Sequence, residues 1–238
     1  MKRTFEHALV LLRRNVVIVV PSLVVALVSA AVASVLSSSG YLSWQFFGDL
    51  NAQGGGAFWM FFATIVAVAL RILGALVAIA FTTGMAAAAW DRGAATLADG
   101  LNAFRREGLQ LLAALVLLFL IGLAASALVL PTFGISVLAY MVFMIYTMPA
   151  VVVSDRSATD AIVDSVRIAA SNFGATLVLV ILIVVLAFIG GFLGALAGRI
   201  PFLGEAISWI VMEAVVAYAT LVVVGEYNRL NTPLQTVP

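Results

Sequence analysis

Apolar residues gather into six long runs, and most polar residues lie in the short stretches between them. A helix rises about 1.5 Å per residue, so a bilayer core takes roughly 20 apolar residues to cross. The runs 16–36, 57–90, 108–130, 135–153, 173–197 and 205–226 predict six transmembrane helices in one domain covering 1–238. The run 57–90 departs from the rest. Its thirty-four residues exceed a simple span, and it carries one charge, Arg71. Residues 57–70 are either an added helix at the outer interface or the start of a long, tilted second span.

The polar stretches have their own pattern. In 1–15, Phe5, Ala8, Leu9 and Leu12 fall on one helical face and Lys2, Glu6, Arg13 and Arg14 mostly elsewhere. In 154–172, Ala158, Ala161, Ile162, Ser165, Val166 and Ala169 share a face opposite Asp160, Asp164, Arg167 and Ser171. Both segments predict short amphipathic helices. Residues 91–107 read as a polar stretch and 37–56 as a loop, with Tyr41, Trp44, Phe46 and Phe47 suited to a membrane interface. Pro131-Thr-Phe-Gly predicts a tight turn. A signal peptide is the rival reading of the N-terminus, with Ala31-Val-Ala as its cleavage site. The apolar run there is longer than the 7–15 residues of such a segment, which favours a span.

A weak repeat runs through the chain. The segment from Thr4 to Arg14 aligns with that from Thr96 to Arg106; each ends in Arg-Arg before a span. Thr159 to Arg167 precedes the fifth span in the same way. The expected fold is an all-α integral membrane protein of six transmembrane helices plus short cytoplasmic amphipathic helices, arranged as three helix-plus-hairpin units.

Composition narrows the class. The chain is 64% hydrophobic and only 10% charged, whereas a soluble domain carries about 25% charged residues. Lipid must cover part of this surface. A net charge of +1 gives no case for nucleic acid. With no cysteine and one histidine, His7, there is no disulfide, no thiolate metal site and little basis for a triad. No cofactor or metal is expected.

Charge also sets orientation. With the N-terminus in the cytoplasm and six spans, Lys2, Arg3, Arg13, Arg14, Arg92, Arg105, Arg106, Arg156, Arg167 and Arg229 all lie inside. Arg199 lies outside and Arg71 within a span. Ten of the chain's twelve basic residues on one side is a positive-inside pattern, with both termini cytoplasmic in the cell (plasma or inner) membrane.

Arg71 and Glu213 are the candidate intramembrane ion pair. A charge at bilayer depth costs a few kcal/mol unless paired, turned inward or near water. Ala63, Ala67, Gly74, Ala75 and Ala78 share a stripe with Arg71 and would let another helix approach. Glu213 is the acid well inside another run, and counting from Glu226 puts it in the outer half. The pair is either a clasp that fixes helix register or a substrate or proton site. Gly190, Gly194 and Gly198 form two overlapping G-x-x-x-G steps and are helix-packing candidates, for an internal neighbour or a second copy. The acids and bases of 91–107 and 154–172 form either a belt against lipid heads or a docking surface for a cytoplasmic protein. No nucleotide-binding, metalloprotease or serine-hydrolase motif occurs.

Several short stretches carry a resemblance: Ala8-Leu-Val-Leu-Leu-Arg-Arg-Asn before a span with Pro21; Gly84-Met-Ala-Ala-Ala-Ala before Asp91-Arg-Gly and Leu97-Ala-Asp-Gly-Leu; and Pro149-Ala-Val-Val-Val with Asp160-Ala-Ile-Val-Asp-Ser and Asn172-Phe-Gly. In this order the chain resembles prokaryotic six-span proteins that are similar to the membrane domain of some glycerophosphodiester phosphodiesterases. Nothing in these residues matches that family's catalytic domain, so the resemblance implies a membrane accessory or anchoring role and no activity. The expected function is a non-enzymatic scaffold or accessory protein that binds lipid or a partner. The alternative is a transporter or channel for a small solute or lipid.

Overall fold

The computed structural model describes residues 2–28, 74, 77–199 and 204–231. Among them the chain is helical and without strands. Helix α1 is Lys2–Arg14. It meets α2, Val16–Val28, at 91°, and α2 begins with a 3-10 turn, Val16–Val19. Then come α3 (77–92), α4 (Leu97–Ala127), α5 (Ile135–Met144), α6 (Thr147–Ser154), α7 (Ala158–Ser171), α8 (Phe173–Ala197) and α9 (Gly204–Asn231).

Four stretches are long and apolar enough to cross a membrane: α4, α5 with α6, α8, and α9 from Ile207 onward. The expected spans 16–36 and 57–90 run into residues outside the described ones, as do Ser37–Gly56 and Arg71.

Two boundaries differ from the sequence reading. The polar stretch 91–107 holds the helix that the second unit calls for, but that helix does not end before the span: α4 starts at Leu97 and continues without a break through Gly108. Thr96 starts it. Asp99 Oδ2 accepts hydrogen bonds from the Thr96 N–H (2.8 Å) and Oγ1 (2.9 Å), which satisfies donors that a helix start leaves open. Burial alone would raise the Asp99 carboxyl, but the Thr96 bonds and the Arg92 guanidinium outweigh it and hold the group below its ordinary value.

The second difference is the expected fourth span: the stretch Ile135–Ser154 is broken at Ile145 and Tyr146. Pro149 lacks an N–H and its ring displaces the carbonyl four residues back, which is Ile145. The break would strand backbone groups in an apolar setting, where each costs several kcal/mol. Ser165 of α7 takes them up. Its Oγ accepts from the Tyr146 N–H (3.1 Å) and donates to the Phe143 carbonyl (2.7 Å). Helix α7 therefore packs against the broken span, burying Ala158, Ala161, Ser165 and Ala169, while Ile162 is half-buried and Val166 exposed.

Helix α1 buries Thr4, Ala8 and Leu11, so of the face expected from its sequence only Ala8 is fully buried. The reason is closeness to α9. A Cβ on Gly225 would stand 2.8 Å from Thr4 Cγ2 and would collide with Trp90, so small residues must face that way. Phe5, Leu9 and Leu12 are left on an adjoining flank, half-buried or exposed.

Helix α3 is buried on nearly every side: Ala78, Ala80, Thr82, Thr83, Met85, Ala86 and Ala89 are all inside. Small residues let its neighbours close in. A Cβ on Gly84 would lie 2.6 Å from Ala103 Cβ of α4, and Phe81 rides directly over Gly100. Trp90 closes the end of α3, donating its indole N–H to the Leu221 carbonyl of α9 (2.8 Å) and stacking near His7 of α1.

Replacing Ser165 with alanine is expected to cost about 1–3 kcal/mol, the penalty for buried backbone groups left without partners. The same change at exposed Ser171 should cost under about 0.5 kcal/mol. Chemical or thermal unfolding in one mild detergent compares them; equal effects would mean that Ser165 does not support the break.

Candidate functional site: a cavity around Glu213

Helices α2, α3 and α9 enclose a cavity of about 430 Å³. Three- and four-residue steps bring Ser208, Trp209, Met212, Glu213 and Val216 to one face of α9. Helix α2 contributes Ser22, Val25 and Ala26, and α3 contributes Ala78 and Ile79. Glu213 is half-buried there and makes no ion pair among the described residues. Ser22, 5% exposed, stands beside the Glu213 carboxyl. Its Oγ closes no hydrogen bond. Arg71, the expected partner of Glu213, lies outside the described residues. Two residues of its stripe are described: Ala78 lines the cavity, and Gly74 is close enough to α2 that a Cβ there would come 3.0 Å from Val25.

The glycines of α8 divide by role. A Cβ on Gly190 would lie 2.9 Å from Val215 and one on Gly194 2.6 Å from Ser208 Oγ, so both face α9. On Gly198 it would meet only carbonyls of its own helix, and on neighbouring Gly191 nothing within 4 Å.

A second hollow, of about 310 Å³, opens beside the first and shares Ile79 and Val216 with it. The break in the fourth span borders it, through Met144, Ile145, Met148 and Pro149, with Met141 and Tyr140 completing that wall. These walls are almost wholly apolar, and methionine adapts readily to varied shapes.

A third feature is the gathering of charges at one end of the bundle. Asn15, at the α1–α2 bend, donates to the Gly93 carbonyl (3.2 Å) and accepts from the Ala95 N–H (2.8 Å). Arg106 pairs with Asp155 (2.8 Å), Arg156 with Asp164 (2.9 Å), and Arg92 with Asp99. Glu226, fully buried, pairs with Arg229 (2.7 Å). Next to it Tyr227 bonds Ser154 (2.7 Å), and its ring lies 6.3 Å from Tyr146, whose hydroxyl reaches Thr176 (3.4 Å). Arg3, Arg13, Arg14 and Arg105 make no ion pair among the described residues.

Sequence reasoning found Glu213 because an acid in an apolar run stands out. It missed Ser22, Asn15, Ser165 and the Tyr146–Tyr227 contact. Only Pro149 carried a signal, since a proline mid-span announces freed backbone groups. Among the described residues no three His, Asp or Glu side chains are placed to hold a metal. No known protein family, curated protein or solved structure matches the chain.

Alanine at Gly190 or Gly194 should destabilise the protein by about 1–3 kcal/mol through overpacking against α9. At Gly191 the same change should be neutral or stabilising by up to about 1 kcal/mol, since alanine favours helix. Unfolding midpoints of the three variants test this; a destabilised Gly191→Ala would place α8 against a different partner.

Proposed function

We propose that the chain is a non-enzymatic accessory or scaffold protein of the cell membrane. It has six spans, both termini in the cytoplasm, and arginines that bind anionic lipid heads. The carrying observation is the uneven pairing of charge. Acids pair with Lys2, Arg92, Arg106, Arg156, Arg167 and Arg229, while Arg3, Arg13 and Arg14 of α1, and Arg105 of α4, keep no acidic partner among the described residues. Helix α1 turns one face to the protein, an apolar flank of Phe5, Leu9 and Leu12 beside it, and charge to the remaining side. A helix at right angles to the next, so divided, suits the boundary between acyl chains and headgroups.

The contact of Asn15 with Gly93 and Ala95 supports the even span count. A chain whose residue 15 touches residue 93 has left and returned to the same end between them. Three helix-plus-hairpin units are supported by the joints of the first and third. Asn15 (φ −125°, ψ 55°) and Asn172 (φ −126°, ψ 38°) share a backbone conformation. Each donates its side-chain amide to the carbonyl four residues back, at 3.0 and 3.1 Å. The middle unit has Glu107 at the aligned position and runs straight. The likeness to the membrane domain of glycerophosphodiester phosphodiesterases agrees with an accessory role.

Thermal stability in nanodiscs of zwitterionic lipid, with and without phosphatidylglycerol, tests the lipid contact. The anionic lipid should stabilise the wild type, at roughly 1 kcal/mol per basic residue near the surface. The double variant Arg13→Gln/Arg14→Gln should lose most of that gain. Equal stability in both lipids would contradict the proposal.

A further inference from the structure

We propose that the cavity at Glu213 is a binding site for a hydrophobic primary amine, with its ammonium held by Glu213 and Ser22 and its chain lying along Ile79 and Val216. Four observations converge on this ligand. The Glu213 carboxyl stands among apolar walls at the depth of the spans and makes no ion pair among the described residues. A carboxylate in such a setting calls for a cation. The Ser22 hydroxyl is more than nine-tenths buried, stands within reach of the Glu213 carboxyl, and closes no hydrogen bond to any other group. A group that donates several hydrogen bonds satisfies both oxygens at once, and an ammonium has three N–H donors where a tertiary or quaternary amine has one or none.

The third observation is size and lining. At about 430 Å³ the cavity falls in the range of small-molecule sites. Its few polar groups are too sparse to replace the hydration shell of an inorganic cation. Trp209 on the same wall offers an aromatic surface to a positive head. The fourth is continuity. Ile79 and Val216, which also border the methionine-walled hollow, give an alkyl chain an apolar wall to lie along. Neutral alcohols lack the charge, and carboxylates carry the wrong sign. The inference holds whether the protein serves as scaffold or as carrier.

The test is a titration of the full chain in phosphatidylcholine nanodiscs with n-octylamine, n-octanol and octanoate, read by thermal stability and tryptophan fluorescence. Octylamine should saturate and stabilise, while octanol and octanoate produce only the gradual drift of membrane partitioning. Glu213→Gln should weaken octylamine about tenfold or more, as expected when a charge-assisted bond is lost. Glu213→Asp and Arg71→Ala should retain binding, and Ser22→Ala should weaken it about two- to fivefold. The wild-type comparison of the three chemically matched probes stands even where a variant fails to fold. Equal responses to octylamine and octanol would overturn the proposal, as would undiminished binding in Glu213→Gln. Binding seen only in Arg71→Ala would overturn it too, because the guanidinium of the chain itself would then be the occupant.

Discussion

In lipid, a backbone N–H or C=O has no water to fall back on, so every interruption of a helix must be repaired from within the protein. The repair of the fourth span by Ser165 is the contact on which the rest of this structure turns. Pro149 forces the break, and the broken helix is tolerated because α7 brings a hydroxyl to Tyr146 and Phe143. Helix α7 is thereby held against both halves of the broken helix. The break in turn borders the methionine-walled hollow and places Tyr146 against Tyr227 of α9. One imino acid and one serine thus link a local chain defect to the shape of the interior.

The asparagines at 15 and 172 do related work at the elbows. Each ends a helix and donates its side-chain amide to the carbonyl four residues back, and at Asn15 the next helix leaves at 91°. Asn15 goes further and fastens the bend to the 93–95 loop. Where the aligned residue is Glu107, no such bond forms and α4 runs on for 31 residues. A side chain able both to donate and to accept near its own backbone decides whether a helix turns or continues.

Much of the architecture was legible in the sequence because membrane helices are written in long apolar runs. The burial of Gly84, Met85, Ala86 and Ala89 in α3 was not foreseen, since that stretch stood out only through the resemblance it carries. The joints were less legible than the spans. The pattern of 154–172 put Ser165 on the apolar face and Ser171 opposite, but a serine is tolerated on a helix face for many reasons, so nothing there said that Ser165 would bond a broken backbone. The apolar face of α1 was legible in part, because apolarity marks what avoids water without distinguishing lipid from protein: Ala8 is buried, Phe5 and Leu12 pack partly buried against the core, and Leu9 stays exposed, while small Thr4 joins the contact. Glu213 was legible as an acid in an apolar run. Its neighbour Ser22 comes from the far end of the chain and only folding brings them together.

The proposed sidedness puts the arginine-rich segments at one membrane face and Phe133 and Arg199 at the other. Because the chain has no cysteine, single cysteines at Ala94, Thr159, Phe133 and Arg199 can be probed with a membrane-impermeant thiol reagent added to intact cells or to inverted vesicles. The account predicts that positions 94 and 159 react only in inverted vesicles and 133 and 199 only in intact cells. Reaction of 94 and 133 from the same side would mean that α4 does not cross the bilayer and would contradict it.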